Sequence, residues 1–362
     1  MKYSHHSRTL SELGILFVAL VSLGANWETA QPGWRYEFPR DHHSHPNFKT
    51  EWWYFTGNLF DSSGHRFGYE LTFFRQGIRP PNERNPELSR FVVNDLKFAH
   101  FTITDANGKQ FRFEQKTSRG AFGEAGFDDG TRITWIDDWT LESNGTDEFD
   151  LTARMSNATL RLHLRSTKPV VVHGQNGVSV KASEAEHASH YYSCTRLETS
   201  GEIVRNGALT SLHGESWFDH EWATNQLAPE QIGWNWLSVQ FEDGRELMLY
   251  QMRLQSGAID PSSSGTLVRP DGQSVYLPNE SFHFTPTKFW TSAKTGAKYP
   301  IGWRVEIPSE NLQFNVRAVL ENQELALRPL TYWEGAIDTE PMKGRGYLEL
   351  TGYAGALHEL QR

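Results

Sequence analysis

The chain carries one cysteine, Cys194, among 362 residues. That excludes an intramolecular disulfide framework and a cysteine-based zinc site, whatever the compartment. It has no basic surplus either: 35 Lys and Arg stand against 44 Asp and Glu, a formal net charge of -9. Nucleic acid is therefore not an expected partner, because its recognition rests on neutralising phosphates. The apolar run Leu13–Leu23 is only about half the length that spans a bilayer. Neither a Gly-x-Ser-x-Gly elbow nor a Gly-rich phosphate loop occurs, so no residues support a serine hydrolase and no cofactor is expected. After residue 30 a sustained helical period is absent as well.

Aromatic residues are plentiful. The 22 Phe, 13 Trp and 12 Tyr would not stay solvated, which rules out disorder as the main state. The first residues differ from the rest. Lys2 and Arg8 precede the short apolar run, and Ser22, Gly24 and Ala25 follow it. This is the layout of a secretory signal peptide over residues 1–24, with a secreted or periplasmic mature chain.

The mature chain reads as strands. In Thr159–Arg165, Leu160, Leu162 and Leu164 alternate with Arg161, His163 and Arg165. Turn pairs such as Ser63–Gly64, Asn107–Gly108, Asn206–Gly207 and Asp243–Gly244 separate the runs, and their residues tolerate the backbone of tight hairpins. An all-β antiparallel sandwich or barrel follows. The chain also repeats itself. Trp53-Tyr54-Phe55 runs to a turn at Gly64 and returns along Phe67–Leu71; Trp234–Leu237 runs to Gly244 and returns along Leu247–Tyr250. Two similar β-domains are expected, over 30–200 and 201–362, with the boundary near Thr199–Gly201.

Three segments are distinctive: Phe38–Leu59 with its Thr50-Glu51-Trp52-Trp53-Tyr54-Phe55-Thr56-Gly57 core, Trp217–Trp222, and Tyr332–Ala336 with Gly346–Tyr353. Together they resemble the AttH-like family of secreted proteins, related to the carotenoid 1,2-hydratases and to fungal lipocalin-like cyclases. The resemblance implies two lipocalin-like (calycin) barrels. It leaves the activity open, since a fold does not fix a function.

Within Glu215–Trp222, three carboxylates, one imidazole and two indoles fall together. In an extended chain Trp217, Asp219 and Glu221 share one face, and Ser216, Phe218, His220 and Trp222 the other. Alkene hydration needs an acid and an aromatic pocket that tolerates a carbocation, so Asp219, His220 and Glu221 are catalytic candidates. His220 and Trp222 match a His-x-Trp pair of the carotenoid hydratases. Those enzymes also resemble this chain at Tyr250, but the aspartate they carry two residues later is Met252 here. Glu51 is a further candidate acid, on the same face of its strand as Trp53 and opposite to Trp52 and Tyr54. Trp52, Tyr54, Trp217, Trp222, Trp234 and Trp236 are the expected ligand-binding aromatics. Asp41-His42-His43-Ser44-His45 holds metal-ligand types without a helical His-x-x-x-His pattern. It reads as a polar loop packing near the first strand, and no metal is expected. The expected function is binding of a hydrophobic small molecule, a lipid or isoprenoid. The alternatives are an enzyme acting on such a ligand (hydratase, hydrolase or cyclase) or an envelope partner of an ABC-type transporter.

Overall fold

The computed structural model describes residues 27–357, apart from 86, 88, 90, 185, 328 and 329. The expected leader, 1–24, lies outside the described residues. The regular structure among the described residues is strand, with only four short 3-10 turns.

An antiparallel meander opens the first sheet: β1 (Thr50–Phe60), β2 (Arg66–Gly77), β3 (Asp95–Asp105) and β4 (Gln110–Ser118). Five shorter strands continue it: β5 (Ala125–Asp129), β6 (Arg132–Ile136), β7 (Trp139–Ser143), β8 (Glu148–Met155) and β9 (Ala158–Ser166). The two-residue strands β10 (Val171–Val172) and β11 (Ser179–Val180) pair with the long β12 (Ala188–Arg205). Next, β13 (Ala208–Ala223) returns to pair with β1 along its whole length, from Thr50↔Ala223 to Phe60↔His213. Opening and closing strands are thus neighbours, and the sheet forms a nearly closed barrel.

The second sheet begins with β14 (Gln231–Phe241), β15 (Glu246–Leu254), β16 (Ser264–Val268) and β17 (Ser274–Pro278). It continues through β18 (His283–Thr291), β19 (Lys298–Ile307), β20 (Leu312–Ala318) and β21 (Glu324–Ala326). Its last strands are β22 (Thr331–Glu340) and β23 (Gly344–Leu350), and β23 pairs with β14. This half-barrel repeats the central order of the first sheet, β17-β16-β15-β14-β23-β22 against β4-β3-β2-β1-β13-β12. The two repeated hairpins of the sequence are β1–β2 and β14–β15, turning at Gly64 (φ 82°) and Gly244 (φ 85°). The all-β, two-unit lipocalin-like expectation therefore holds. The division expected near Thr199–Gly201 falls inside β12, whose hairpin with β13 belongs wholly to the first sheet. The chain leaves that sheet after Ala223 and joins the second at Gln231.

The alternation that predicts strands also builds the cores. Along β9, Leu160, Leu162 and Leu164 are buried while Arg161, His163 and Arg165 are exposed. Each such leucine contributes roughly 1.5–3 kcal/mol by leaving water. The first barrel is filled by Phe55, Leu71, Phe101, Trp139, Phe149 and Phe218 among others, and the second sheet folds over its own apolar core. A third buried cluster, with Tyr54, Tyr191, Trp217, Trp236 and Tyr250, lies between the sheets. The seam beside it is tight: a methyl on Gly68 would stand 2.7 Å from Tyr347 Oη and 2.9 Å from Ala336 Cβ. Tyr54 donates to Glu334 Oε1 at 2.7 Å across this seam, and Arg66 pairs with Asp338 at 2.6 Å.

Candidate functional site

β13 runs between two environments, and its alternation sorts the candidate residues. Phe218, His220 and Trp222 belong to the filled interior of the first barrel or its end, whereas Trp217, Asp219 and Glu221 face the second sheet. On β1 the same rule puts Glu51 and Trp53 inward and sends Trp52 and Tyr54 toward the second sheet.

The inward group forms a saturated ionic hub. Glu51 accepts from Arg75 Nε at 3.0 Å, His45 Nδ1 at 2.8 Å and His220 Nε2 at 3.0 Å, and from the His45 backbone N–H. Burial alone would raise the Glu51 carboxyl. The Arg75 charge, with the His220 and His45 bonds, outweighs it and holds the group well below the usual range. His45 stacks flat on Trp222 with centroids 3.6 Å apart, and Asp41 is gripped by Arg40 at 2.8 Å. His42 bridges Tyr192 Oη and the Thr146 carbonyl, at 2.6 and 2.9 Å. The Asp41–His45 loop thus packs on β1 and ties the leading segment over the barrel end. His45, Glu51 and His220 bring three ligand-type atoms within 4.8 Å of one another. Their lone pairs and protons are spent on each other, and the Arg75 guanidinium already supplies the cation. Glu51, His220 and Trp222, expected at a site, stand instead in this latch, because strand alternation turns them away from the cavity.

The outward group lines a cavity between the sheets. Trp52, Tyr54, Trp234, Trp236 and Tyr250 make its aromatic walls, with Met252 beside them. Three carboxyl groups reach it: Asp219 and Glu221 from β13, and Glu349 from β23. The cavity is small, about 60 Å³, and partly open.

The carboxyls have different surroundings. Asp219 accepts from Tyr191 Oη at 2.8 Å, from Trp217 Nε1 at 2.6 Å and from Ser193 Oγ. Burial pushes its carboxyl up to about 7 even though these three donors pull it down. Glu349 has one side-chain donor, Trp234 Nε1 at 2.9 Å. Burial raises it to about 7 as well, and the nearby Asp219 and Glu221 charges add to the rise. Glu221 pairs with Lys181 at 3.1 Å and accepts from Gln226 at 2.6 Å. Lys181 lies 4.1 Å from the Tyr250 ring centroid. Tyr250 offers its ring to the cavity while its hydroxyl donates to the Val180 carbonyl at 3.0 Å. Trp217 stands behind Asp219, packed edge-on to Trp236. Cys194 is buried in the barrel core, its thiol pushed up to about 12 by burial, and is no nucleophile.

The arrangement therefore sets two carboxyl groups that can each hold or release a proton near neutrality inside an aromatic box. A model of the AttH-like family matches residues 29–353. The chain belongs to the AttH-like family. A crystal structure described as AttH from Nitrosomonas europaea is 32% identical to this AttH-like chain, covering 90% of it and 99% of its own length, with a TM-score of 0.82. Kievitone hydratase from Nectria haematococca is similar over 91% of this chain and 97% of its own, at 13% identity and a TM-score of 0.67. CghA, solved with Sch210972, is similar over 85% and 90% at 13% identity and a TM-score of 0.52. At that identity the last two show the fold alone. No curated protein matches the chain in sequence.

Of the expected site residues, the cavity gathers Asp219, Glu221, Tyr250, Trp52, Tyr54, Trp234 and Trp236, with Trp217 touching Asp219. Sequence reasoning missed Glu349, Lys181, Tyr191 and Gln226. Glu349 lies within the distinctive Gly346–Tyr353 segment, and its place on a strand closing the second sheet was the available signal. Lys181 and Gln226 sit in connections and carry no sequence signal of their own.

Proposed function

We propose that this AttH-like protein is an exported enzyme that binds a hydrophobic molecule, an isoprenoid or lipid, and adds water to a carbon–carbon double bond or forms one by removing water from an alcohol. The observation that carries the reading is the placement of Asp219 and Glu349, both raised to about 7, in one aromatic-walled cavity. A carrier of apolar ligands gains nothing from burying two such acids, whereas general acid–base chemistry requires groups that titrate near the working pH. Glu349, with one donor and the carboxyl groups of Asp219, Glu221, Glu334 and Glu70 near it, is the group that keeps its proton and serves as the acid. Asp219, held by three donors that favour its charged form, serves as the base.

In the hydration direction Glu349 gives its proton to one alkene carbon. The positive charge that develops on the other carbon faces the indoles of Trp52 and Trp234. Water adds to that carbon and passes its proton to Asp219. One water is consumed, and one proton returns from Asp219 to Glu349 through solvent. The small cavity suits the unsaturated end of a chain, with the remainder lying outside. The leader-like residues 1–24 support export.

The test is to purify the protein from its own host, extract and identify the bound hydrophobe, and incubate the loaded protein in D2O. Deuterium at the former alkene carbon is expected for wild type. It should be lost in Glu349→Gln and Asp219→Asn, both still loaded. A bound hydrophobe with no deuterium above the protein-free blank would make the protein a carrier. A ligand-free protein that instead retains a membrane permease would make it a transporter companion.

A further inference from the structure

His173 stands out among the buried histidines. It follows β10, is 1% exposed, and reaches both sheets. Its Nδ1 lies 2.8 Å from Thr266 Oγ1 on β16, and its Nε2 lies 2.6 Å from Ser193 Oγ on β12. Ser193 in turn bonds Asp219 Oδ1. Tyr191 packs at a tilt against the imidazole, with ring centroids 4.2 Å apart, and also donates to Asp219 Oδ2.

A carbonyl or carboxylate partner normally fixes which ring nitrogen of a histidine carries the proton. His42 has the Thr146 carbonyl and His220 has the Asp41 carbonyl and Glu51. His173 has neither. Both of its partners are hydroxyls, which donate or accept equally well. The group of variable charge on the chain is Asp219, at its end. We infer that Thr266, His173 and Ser193 form a reversible proton relay ending on Asp219, with His173 as a positioning residue whose tautomer follows the state of that carboxyl.

The two states are defined by donor direction. When Asp219 is ionised it can only accept, so Ser193 donates to it, His173 Nε2–H donates to Ser193, and Thr266 donates to Nδ1. When Asp219 is protonated, its Oδ1–H donates to Ser193, Ser193 donates to Nε2, and His173 Nδ1–H donates to Thr266. Only O–H and N–H bonds are exchanged, and the states differ by one proton taken from or released to water. Trp217 and Tyr191 donate to Asp219 in both. The charged and titratable groups facing the relay are Lys181, Glu221, Glu349, Glu334, Tyr191 and Cys194. Burial, and then Lys181, lower the imidazole to about 3, so it stays neutral and responds by moving its proton rather than gaining one. Ser193 is fully buried and does not line the cavity, so the pair is not a hydrolase nucleophile with its base.

The relay rests on the proposed role of Asp219 for its use, but its test needs no substrate. The full mature protein is labelled with 15N-histidine, and the ring nitrogens are followed by NMR between about pH 5 and about pH 9. His173→Gln identifies the signal. The expected result is an exchange of the pyrrole-type and pyridine-type signals, with the proton moving from Nδ1 to Nε2 as Asp219 ionises. No stage should show both nitrogens protonated. The same tautomer at both limits, or a cationic ring, overturns the relay. In Ser193→Ala the tautomer should become independent of pH, and persistence of the switch there also overturns it. If that variant does not fold, the wild-type titration alone decides. Lack of turnover would sink the hydration reading and leave this result untouched.

Discussion

Replacing Asp219 by Asn should make the protein more stable while removing the proposed base. The side chain is 3% exposed, and burial raises its folded pKa to about 7 from an ordinary 3.8. An acid whose folded pKa is raised opposes folding once the unfolded chain begins to ionise, and the penalty grows until the folded group ionises too. One pKa unit corresponds to about 1.4 kcal/mol, so the penalty is about 2 kcal/mol at pH 5 and levels off at about 4 kcal/mol above pH 7. Asparagine carries no such penalty. Its Oδ1 can keep the bonds from Trp217 and Ser193, and its amide can donate to Tyr191 Oη. The assay is urea unfolding of wild type and Asp219→Asn at pH 5 and pH 8. The variant should gain at both, and its advantage should widen by about 2 kcal/mol at the higher pH. Comparing the two conditions cancels any change in packing. An advantage that stays constant, or a variant less stable at pH 8, would refute a buried carboxyl titrating near neutrality.

Glu51→Gln acts in the opposite sense. Its folded pKa is depressed, so its contribution is present above the unfolded pKa and is lost as pH falls toward the folded value. At neutral pH the variant should lose about 3–5 kcal/mol by leaving Arg75 under-paired, and the gap to wild type should close in acid; equal urea midpoints at pH 7 would contradict the latch. At the seam, Gly68→Ala should cost about 1–3 kcal/mol through the clash with Tyr347 Oη, and adding Tyr347→Phe should restore part of it. Thermal unfolding of the single and double variants reads this directly, and a double variant no better than the single one would place the clash elsewhere.

Much of the fold was legible because a strand with one buried face leaves a period of two. The leucines of β9 and the two-sided Trp217–Trp222 segment both obey it. The repeat was legible because each hairpin kept its turn glycine and aromatic outgoing strand. The domain boundary was not. The β12–β13 hairpin is long enough to close the first barrel, and nothing in Thr199-Ser200-Gly201 shows that the chain continues in the same strand. The site was half legible. Period two divides Asp219 from His220, but it does not say which face meets a cavity and which meets the Arg75 hub. That depends on Arg75, His45 and Glu349, which are far from β13 in sequence and reach it or its cavity only through the fold.

The two acids occupy the same place in the topology of their sheets. Asp219 lies on the closing strand of the first opposite Tyr54, and Glu349 on the closing strand of the second opposite Trp236. In a symmetric pair of identical barrels the corresponding acids would be indistinguishable, and neither would be disposed to give rather than receive. Two similar sheets within one polypeptide are free of that restriction. Each half has been free to surround its acid differently, with three donors on one side and one on the other. In the proposed reaction, the covalent link between the halves is therefore what gives the site a direction.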